Sequence, residues 1–215
     1  MPSVKQLREP AYNKSMKRLH RLLALMPHLY ERGLLDSSGG NLAVRTSHGV
    51  YITPSLAAAQ LEWHLTEDDF VLFPGEGDAS MARAGRRPGR ESRLHRIVLN
   101  SRPDWNFSLH THQWGLMGFC LAKQALPVPE PHSIGFGINR DTEVPCLPQM
   151  PLGVQELDAL LADVASEHWK GCSHGAVLLG GHGPIFAGAE IESTLSLAER
   201  IENLARGQLW RLVGS

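Results

Sequence analysis

His110-Thr111-His112 closes an apolar stretch, and the chemistry of the chain is most legible there. Side chains at i and i+2 of a strand share one face, so a strand over residues 105–112 would aim both imidazoles at one point. His182 follows a second apolar segment, inside Gly180-Gly181-His182-Gly183-Pro184, where glycines let backbone pass close to a site. If the two strand ends adjoin, three neutral imidazoles supply the usual protein ligands of an open catalytic divalent site. An HxH pair alone is weak evidence, because such histidines are more often solvated or packed in a core. Among the other histidines, His20, His28 and His168 fall in helical segments and His48 in a turn, and no ligand role is expected of them. His64, His95, His132 and His174 lie near Gly/Pro-rich or motif-bearing segments, and of these His132 is the one worth testing.

The elements that must position these residues follow from periodicity. Leu19, Leu22, Leu23, Met26, Leu29 and Tyr30 recur at helical spacing after Pro10, with Gly33 as a stop and Pro27 as an expected kink or division. Residues 41–46 and 50–53 flank Ser47-His48-Gly49 as a hairpin, and residues 70–73 form a further short strand. Helices are expected over 91–99, 114–123, 154–169 and 190–209, and strands over 105–112, 176–179 and 185–187. Strands and helices mix without regular βαβ alternation, which points to an α/β domain with a mixed sheet covered by helices.

Length and composition set the bounds. The 215 residues suit one domain over 1–215 with a core that needs no disulfide, and 42% hydrophobic and 20% charged residues are ordinary globular values. The net charge is -1, with basic residues scattered apart from a short stretch at 83–93, so no nucleic-acid partner is expected. The first residues lack the apolar core of a signal peptide and no apolar run is long enough to span a bilayer, so a cytoplasmic protein with no membrane partner is expected. Cys120, Cys146 and Cys172 are odd in number and widely spaced, a pattern of reduced thiols without a redox mechanism.

Five blocks occur in a telling order: Ser38-Gly39-Gly40-Asn41-Leu42, Ile52-Thr53-Pro54-Ser55, Pro88-Gly89-Arg90-Glu91 with His95, His110-Thr111-His112, and Gly181-His182-Gly183. From about residue 15 to 205 the chain resembles the class II aldolase/adducin family, which holds sugar-phosphate aldolases, epimerases and dehydratases. The resemblance implies a three-layer α/β/α fold with a mostly antiparallel central sheet. It also implies a homotetramer with sites between subunits, and a divalent ion on His110, His112 and His182. Zinc is the first expectation for three imidazoles, with manganese, cobalt or iron as alternatives. Such an ion stabilises an enediolate as a Lewis acid. Glu91 matches the family's acid/base glutamate, whereas a glutamate opening a helix would otherwise be read as a surface residue complementing the dipole.

By the same resemblance Gly40, Asn41, Thr53, Ser55, Gly89 and Arg90 hold the anionic end of a small substrate, through donors suited to a phosphate. Two departures stand out. The family's Pro-Ser-Ser-Glu is Pro88-Gly89-Arg90-Glu91 here, and the Gly after Thr-Pro-Ser is Leu56, so Arg90 replaces hydroxyls or the substrate carries a different anion. The family's C-terminal tyrosine acid is missing, since the only tyrosines are Tyr12, Tyr30 and Tyr51. Glu130 or His132, in Pro129-Glu130-Pro131-His132, is the candidate for its proton transfer. The expected function is a metal-dependent lyase making or breaking a carbon–carbon bond of a sugar-phosphate-like hydroxy-carbonyl compound, in carbohydrate metabolism. Dehydration is the runner-up, supported by Glu130, Thr66-Glu67-Asp68-Asp69-Phe70 and Gly181-His182-Gly183. Decarboxylation and an adducin-like binding module are the further alternatives.

Overall fold

A computed structural model describes residues 4–37, 39–75, 81–82, 85–129 and 143–213. Helix α1 (Val4–Glu31) leads into the hairpin β1 (Asn41–Thr46) and β2 (Gly49–Ile52), the short helix α2 (Ala57–Leu61), and strands β3 (Val71–Phe73) and β4 (Met81–Ala82). Helix α3 (Ser92–Ser101), strand β5 (Phe107–His110) and helix α4 (Trp114–Ala122) follow, then β6 (Leu126–Pro127), β7 (Glu143–Val144) and β8 (Cys146–Leu147). Helix α5 (Gln155–Asp163) ends in a π-helical turn (Val164–His168), and β9 (His174–Leu179), β10 (Gly183–Gly188) and helix α6 (Ile191–Val213) complete the order.

Among the described residues, eight strands form one sheet in the order β4-β3-β2-β1-β5-β10-β9-β8. Its neighbours run antiparallel except β8 and β9, which are parallel. The central strands read as near-continuous apolar runs because both faces are covered. Leu42, Val44, Phe107, Leu109, Leu178 and Phe186 pack with α1, α4 and α6. Their alternating neighbours Ala43, Ile52, Val71, Val177, Ile185 and Ala187 pack with α3 and α5 on the other face. The result is the expected three-layer α/β/α arrangement with a mixed, mostly antiparallel sheet.

One local expectation is narrowed and one is corrected. Helix α1 continues through Pro27 without division. Proline costs an interior helix about 3 kcal/mol, but Leu19, Leu22, Met26 and Leu29 are buried on the same face. Burial of such side chains stabilises by about 1.5–3 kcal/mol each, which outweighs that cost. Strand β5 is also shorter than the apolar run suggested and ends at His110. Its neighbour β10 pairs Ile185 with His110, and the next residue, Pro184, has no N–H with which to extend the ladder. His112 therefore lies beyond the strand, on the turn into α4.

No helix among the described residues is long and apolar enough to cross a membrane. The three cysteines are free thiols.

Candidate active site

Strand direction creates the site. In an antiparallel sheet the C-terminal end of one strand lies beside the N-terminal ends of its neighbours. His110 ends β5, flanked by Asn41 at the start of β1 and Ile185 near the start of β10. His182 precedes β10 in a turn held by Gly180 N–H donating to the Leu147 carbonyl at 2.9 Å and Gly181 N–H donating to the Cys120 carbonyl at 2.7 Å. Gly183 explains the close approach: a Cβ there would lie 2.7 Å from the Thr111 carbonyl oxygen and 2.9 Å from His110 Cε1.

His110 is fully buried, and its Nδ1 is 2.9 Å from the Pro184 carbonyl oxygen. A carbonyl only accepts, so Nδ1 carries the proton and Nε2 presents a lone pair. Burial first, then the neighbouring His182 and His112, push the His110 pKa down to about 3, so the ring is neutral at ordinary pH. His112 is likewise lowered, chiefly by burial. His110 Nε2 lies 3.1 Å from His112 Nε2. The His110 and His182 rings stack with centroids 4.8 Å apart and planes within 4°.

Glu91 stands at the N-cap of α3, but its side chain makes no cap and turns into the site instead. Its Oε1 is 3.3 Å from His182 Nε2, and its Oε2 accepts from Asn41 Nδ2 at 2.8 Å. Burial works against the Glu91 charge, but the imidazoles of His182 and His110 outweigh it and hold the carboxyl below its usual range. Ligand atoms of Glu91, His110 and His182 all lie within 4.8 Å of one another. His112 touches this group through His110 but is not part of it. Its Nδ1 is 3.9 Å from a carboxylate oxygen of Asp36.

Several features fit a divalent ion. His182 Nε2 is buried and, Glu91 aside, has no polar partner among the described residues. Two nitrogens bound to one tetrahedral ion at about 2.0–2.1 Å would sit roughly 3.3 Å apart, close to the 3.1 Å between His110 and His112. A buried polar atom is costly unless partnered, so this arrangement is what a ligand set looks like.

Above the histidines lies a pocket of about 330 Å³ lined by Gly39, Gly40, Asn41, Ser55, Gly89, Arg90, Glu91, His112 and His182, among others. A bridge between Pro54 and Pro88, with Ser55 N–H donating to the Arg87 carbonyl at 2.8 Å, joins the two segments of its wall. Thr53 is not a lining residue. It is fully buried, and its hydroxyl accepts from Leu42 N–H at 3.1 Å, so it ties β1 to the turn after β2. Asn41 lines the pocket, but its amide already holds Glu91 and His95. Leu56, where the family resemblance led us to expect glycine, is 60% exposed at the pocket wall with φ 62°. Glu130 and His132 fall outside the described residues.

The acidic run after Thr66 has a structural role. Thr66 and Asp69 cap a 3-10 turn reciprocally, and Arg86 pairs with Asp69 at 2.9 Å. Residues that sequence reasoning missed are Ser108, Asp36 and Glu202. Ser108 and Glu202 look like ordinary core-strand and helix residues, and only spatial neighbours distinguish them. Asp36, just before the glycine pair, carried a weak signal as a turn residue.

The fold and the site together define a class. Residues 20–209 match the Class II Aldolase and Adducin N-terminal domain family, and the chain belongs to that family. It is 32% identical over 195 residues to a 5-methylthioribulose-1-phosphate/5-deoxyribulose-1-phosphate aldolase of Rhodospirillum rubrum, covering 89% of this chain and 80% of that protein. To an L-fuculose phosphate aldolase of Escherichia coli it is 30% identical over 174 residues, covering 81% and 74%. The crystal structure of L-fuculose-1-phosphate aldolase from Thermus thermophilus superposes with a TM-score of 0.70 at 24% identity, covering 90% of this chain and 95% of that one, a likeness of fold.

Proposed function

We propose that this protein is a divalent-metal-dependent lyase that breaks or forms the carbon–carbon bond of a ketose 1-phosphate. The observation that carries the reading is the meeting of His110, His112, His182 and Glu91 at the floor of a polar pocket. The ligand set also favours catalysis over a pure binding module, which has no use for three imidazoles converging beside a carboxylate. The names of its relatives supply the substrate class, since 5-methylthioribulose 1-phosphate and 5-deoxyribulose 1-phosphate share a phosphorylated C1 and a C2 ketone.

In this reading His110, His112 and His182 hold the ion, with zinc the first candidate for three imidazoles. When bound it supplies Lewis-acid stabilisation of the charge that cleavage leaves on the substrate oxygens. Aldol cleavage breaks the C3–C4 bond, C4 leaves as an aldehyde, and C3 gains a proton. In the synthetic direction the ionised Glu91 removes that proton through Oε1, and in cleavage Oε1 returns it to C3 after first taking up a proton from water. Arg90, Ser55 and the backbone of Gly40 and Gly89 receive the phosphate, whose charge the guanidinium complements. The second proton transfer, at the C4 oxygen, is assigned to Glu130 or His132.

The test is metal content of untagged protein beside His110→Ala and His182→Ala, followed by cleavage of L-fuculose 1-phosphate and 5-deoxyribulose 1-phosphate. About one ion per chain, lost in both folded variants, with release of dihydroxyacetone phosphate, is the expected result. No uptake of zinc, manganese or cobalt would sink the mechanism.

A further inference from the structure

Behind Glu91 a chain of buried polar groups leads from the pocket-lining Asn41 into the core. His95 is fully buried one helical turn beyond Glu91, and Ser108, Asn41 and Glu91 are 0%, 6% and 8% exposed. His95 Nδ1 lies 2.8 Å from Ser108 Oγ, and His95 Nε2 bonds with Asn41 Oδ1. Asn41 Nδ2 donates to Glu91 Oε2 at 2.8 Å.

The chemistry of these groups fixes the direction of every bond. An ionised carboxylate only accepts, so the Asn41 amide must turn its N–H to Glu91 and its carbonyl to His95. Its carbonyl also only accepts, so the proton of His95 sits on Nε2. A neutral imidazole then has a lone pair on Nδ1, and the Ser108 hydroxyl donates to it. Reversing any bond would bring two acceptors or two donors together in a buried site, which costs about 1–3 kcal/mol per unmet group. Burial, which pushes the His95 pKa down to about 4, keeps the ring neutral and the chain intact near pH 7.

We propose that Ser108, His95 and Asn41 form a one-directional hydrogen-bond chain that positions Glu91, occupying Oε2 and leaving Oε1 alone to exchange a proton with substrate carbon. A proton on Oε2 would meet the Asn41 N–H, whereas Oε1 faces His182 at 3.3 Å. His95 and Ser108 are therefore positioning residues, sequestered from substrate yet controlling which oxygen acts. The proton-exchange part of this proposal rests on the lyase reading above; the direction of the chain does not.

Two measurements separate these. Long-range 1H–15N spectra of histidine-labelled protein report the tautomer, with the His95 signal identified by its loss in His95→Gln. The expected result is the Nε2–H form, with Ser108→Ala moving the Nδ1 resonance. The second measurement is exchange of the C3 proton of dihydroxyacetone phosphate in D2O by the metal-loaded enzyme. His95→Leu should lower the exchange rate constant about 10- to 100-fold with unchanged metal content, while KM moves by no more than about twofold. His95→Gln, whose amide can still donate to Asn41, should recover part of that loss. Ser108→Ala, which deletes one oxygen and keeps the fold, should slow exchange with the same unchanged KM. An Nδ1–H tautomer overturns the proposal, as does wild-type exchange by folded His95→Leu and Ser108→Ala. If the wild type exchanges no proton, the lyase reading fails, and the tautomer alone decides the chain.

Discussion

Glu202 should be one of the most sensitive positions in the molecule, although it lies in the middle of an ordinary amphipathic helix. The residue is 3% exposed, and its carboxylate accepts from Gly115 N–H and Leu116 N–H, each at 3.0 Å, while Arg206 Nε donates to it at 2.6 Å. It thus caps α4, the helix that starts two residues after His112, with a negative charge at the positive end of the helix dipole. Hydrogen bonds to a charged group contribute about 1.5–3 kcal/mol each, and leaving the two buried N–H groups unmet costs a similar amount. Allowing for the carboxylate's own desolvation, Glu202→Ala should destabilise by about 3–5 kcal/mol, the range for breaking a buried charged network. In urea this reads as a lower midpoint with an unchanged slope. Gly115→Ala should act on the same contact, because its Cβ would sit 3.0 Å from both carboxylate oxygens and 2.9 Å from Arg206 Cγ. The double variant should therefore lose less than the sum of the two. A loss below about 1 kcal/mol for Glu202→Ala, or full additivity with Gly115→Ala, would refute the claim that this carboxylate is the cap.

Two further predictions concern the site. The His95 pKa is pushed by burial from 6.5 to about 4, so between those values the unfolded chain binds a proton that the folded chain refuses. Its contribution is complete above pH 6.5 and is lost as pH falls toward 4; wild type should lose about 2 kcal/mol more than His95→Gln between pH 7 and pH 5 in urea titrations of metal-free protein. Equal losses would contradict a neutral buried His95. At Gly39 an added Cβ would come within 2.6 Å of His112 Cε1. Gly39→Ala should then weaken zinc binding about 10-fold or more by calorimetry, with stability of the metal-free chain changed by less than about 1 kcal/mol; unchanged affinity would mean that His112 is no ligand.

Much of this protein is determined locally. The apolar runs around Leu42, Leu109, Val177 and Ile185 are strands in any context that covers both faces, and the order of the five motif blocks carries the family. The histidine pair and the glycine-flanked His182 are legible because ligand chemistry demands few residue types, and because a turn this close to Thr111 and His110 admits only glycine at Gly183. Tertiary structure decided what those residues face. Antiparallel pairing sets the end of β5 beside the starts of β1 and β10, which joins Asn41, His110 and His182 across a span that no local pattern measures. It withdrew Thr53 from the pocket into a bond with Leu42, turned Asn41 toward Glu91 and His95, and made Glu202 a cap for a helix remote in sequence. The physical reason is common to all four. A side chain's type states which bonds it can make, but its partners are chosen by whichever backbone and polar groups packing leaves buried beside it, and those must be satisfied.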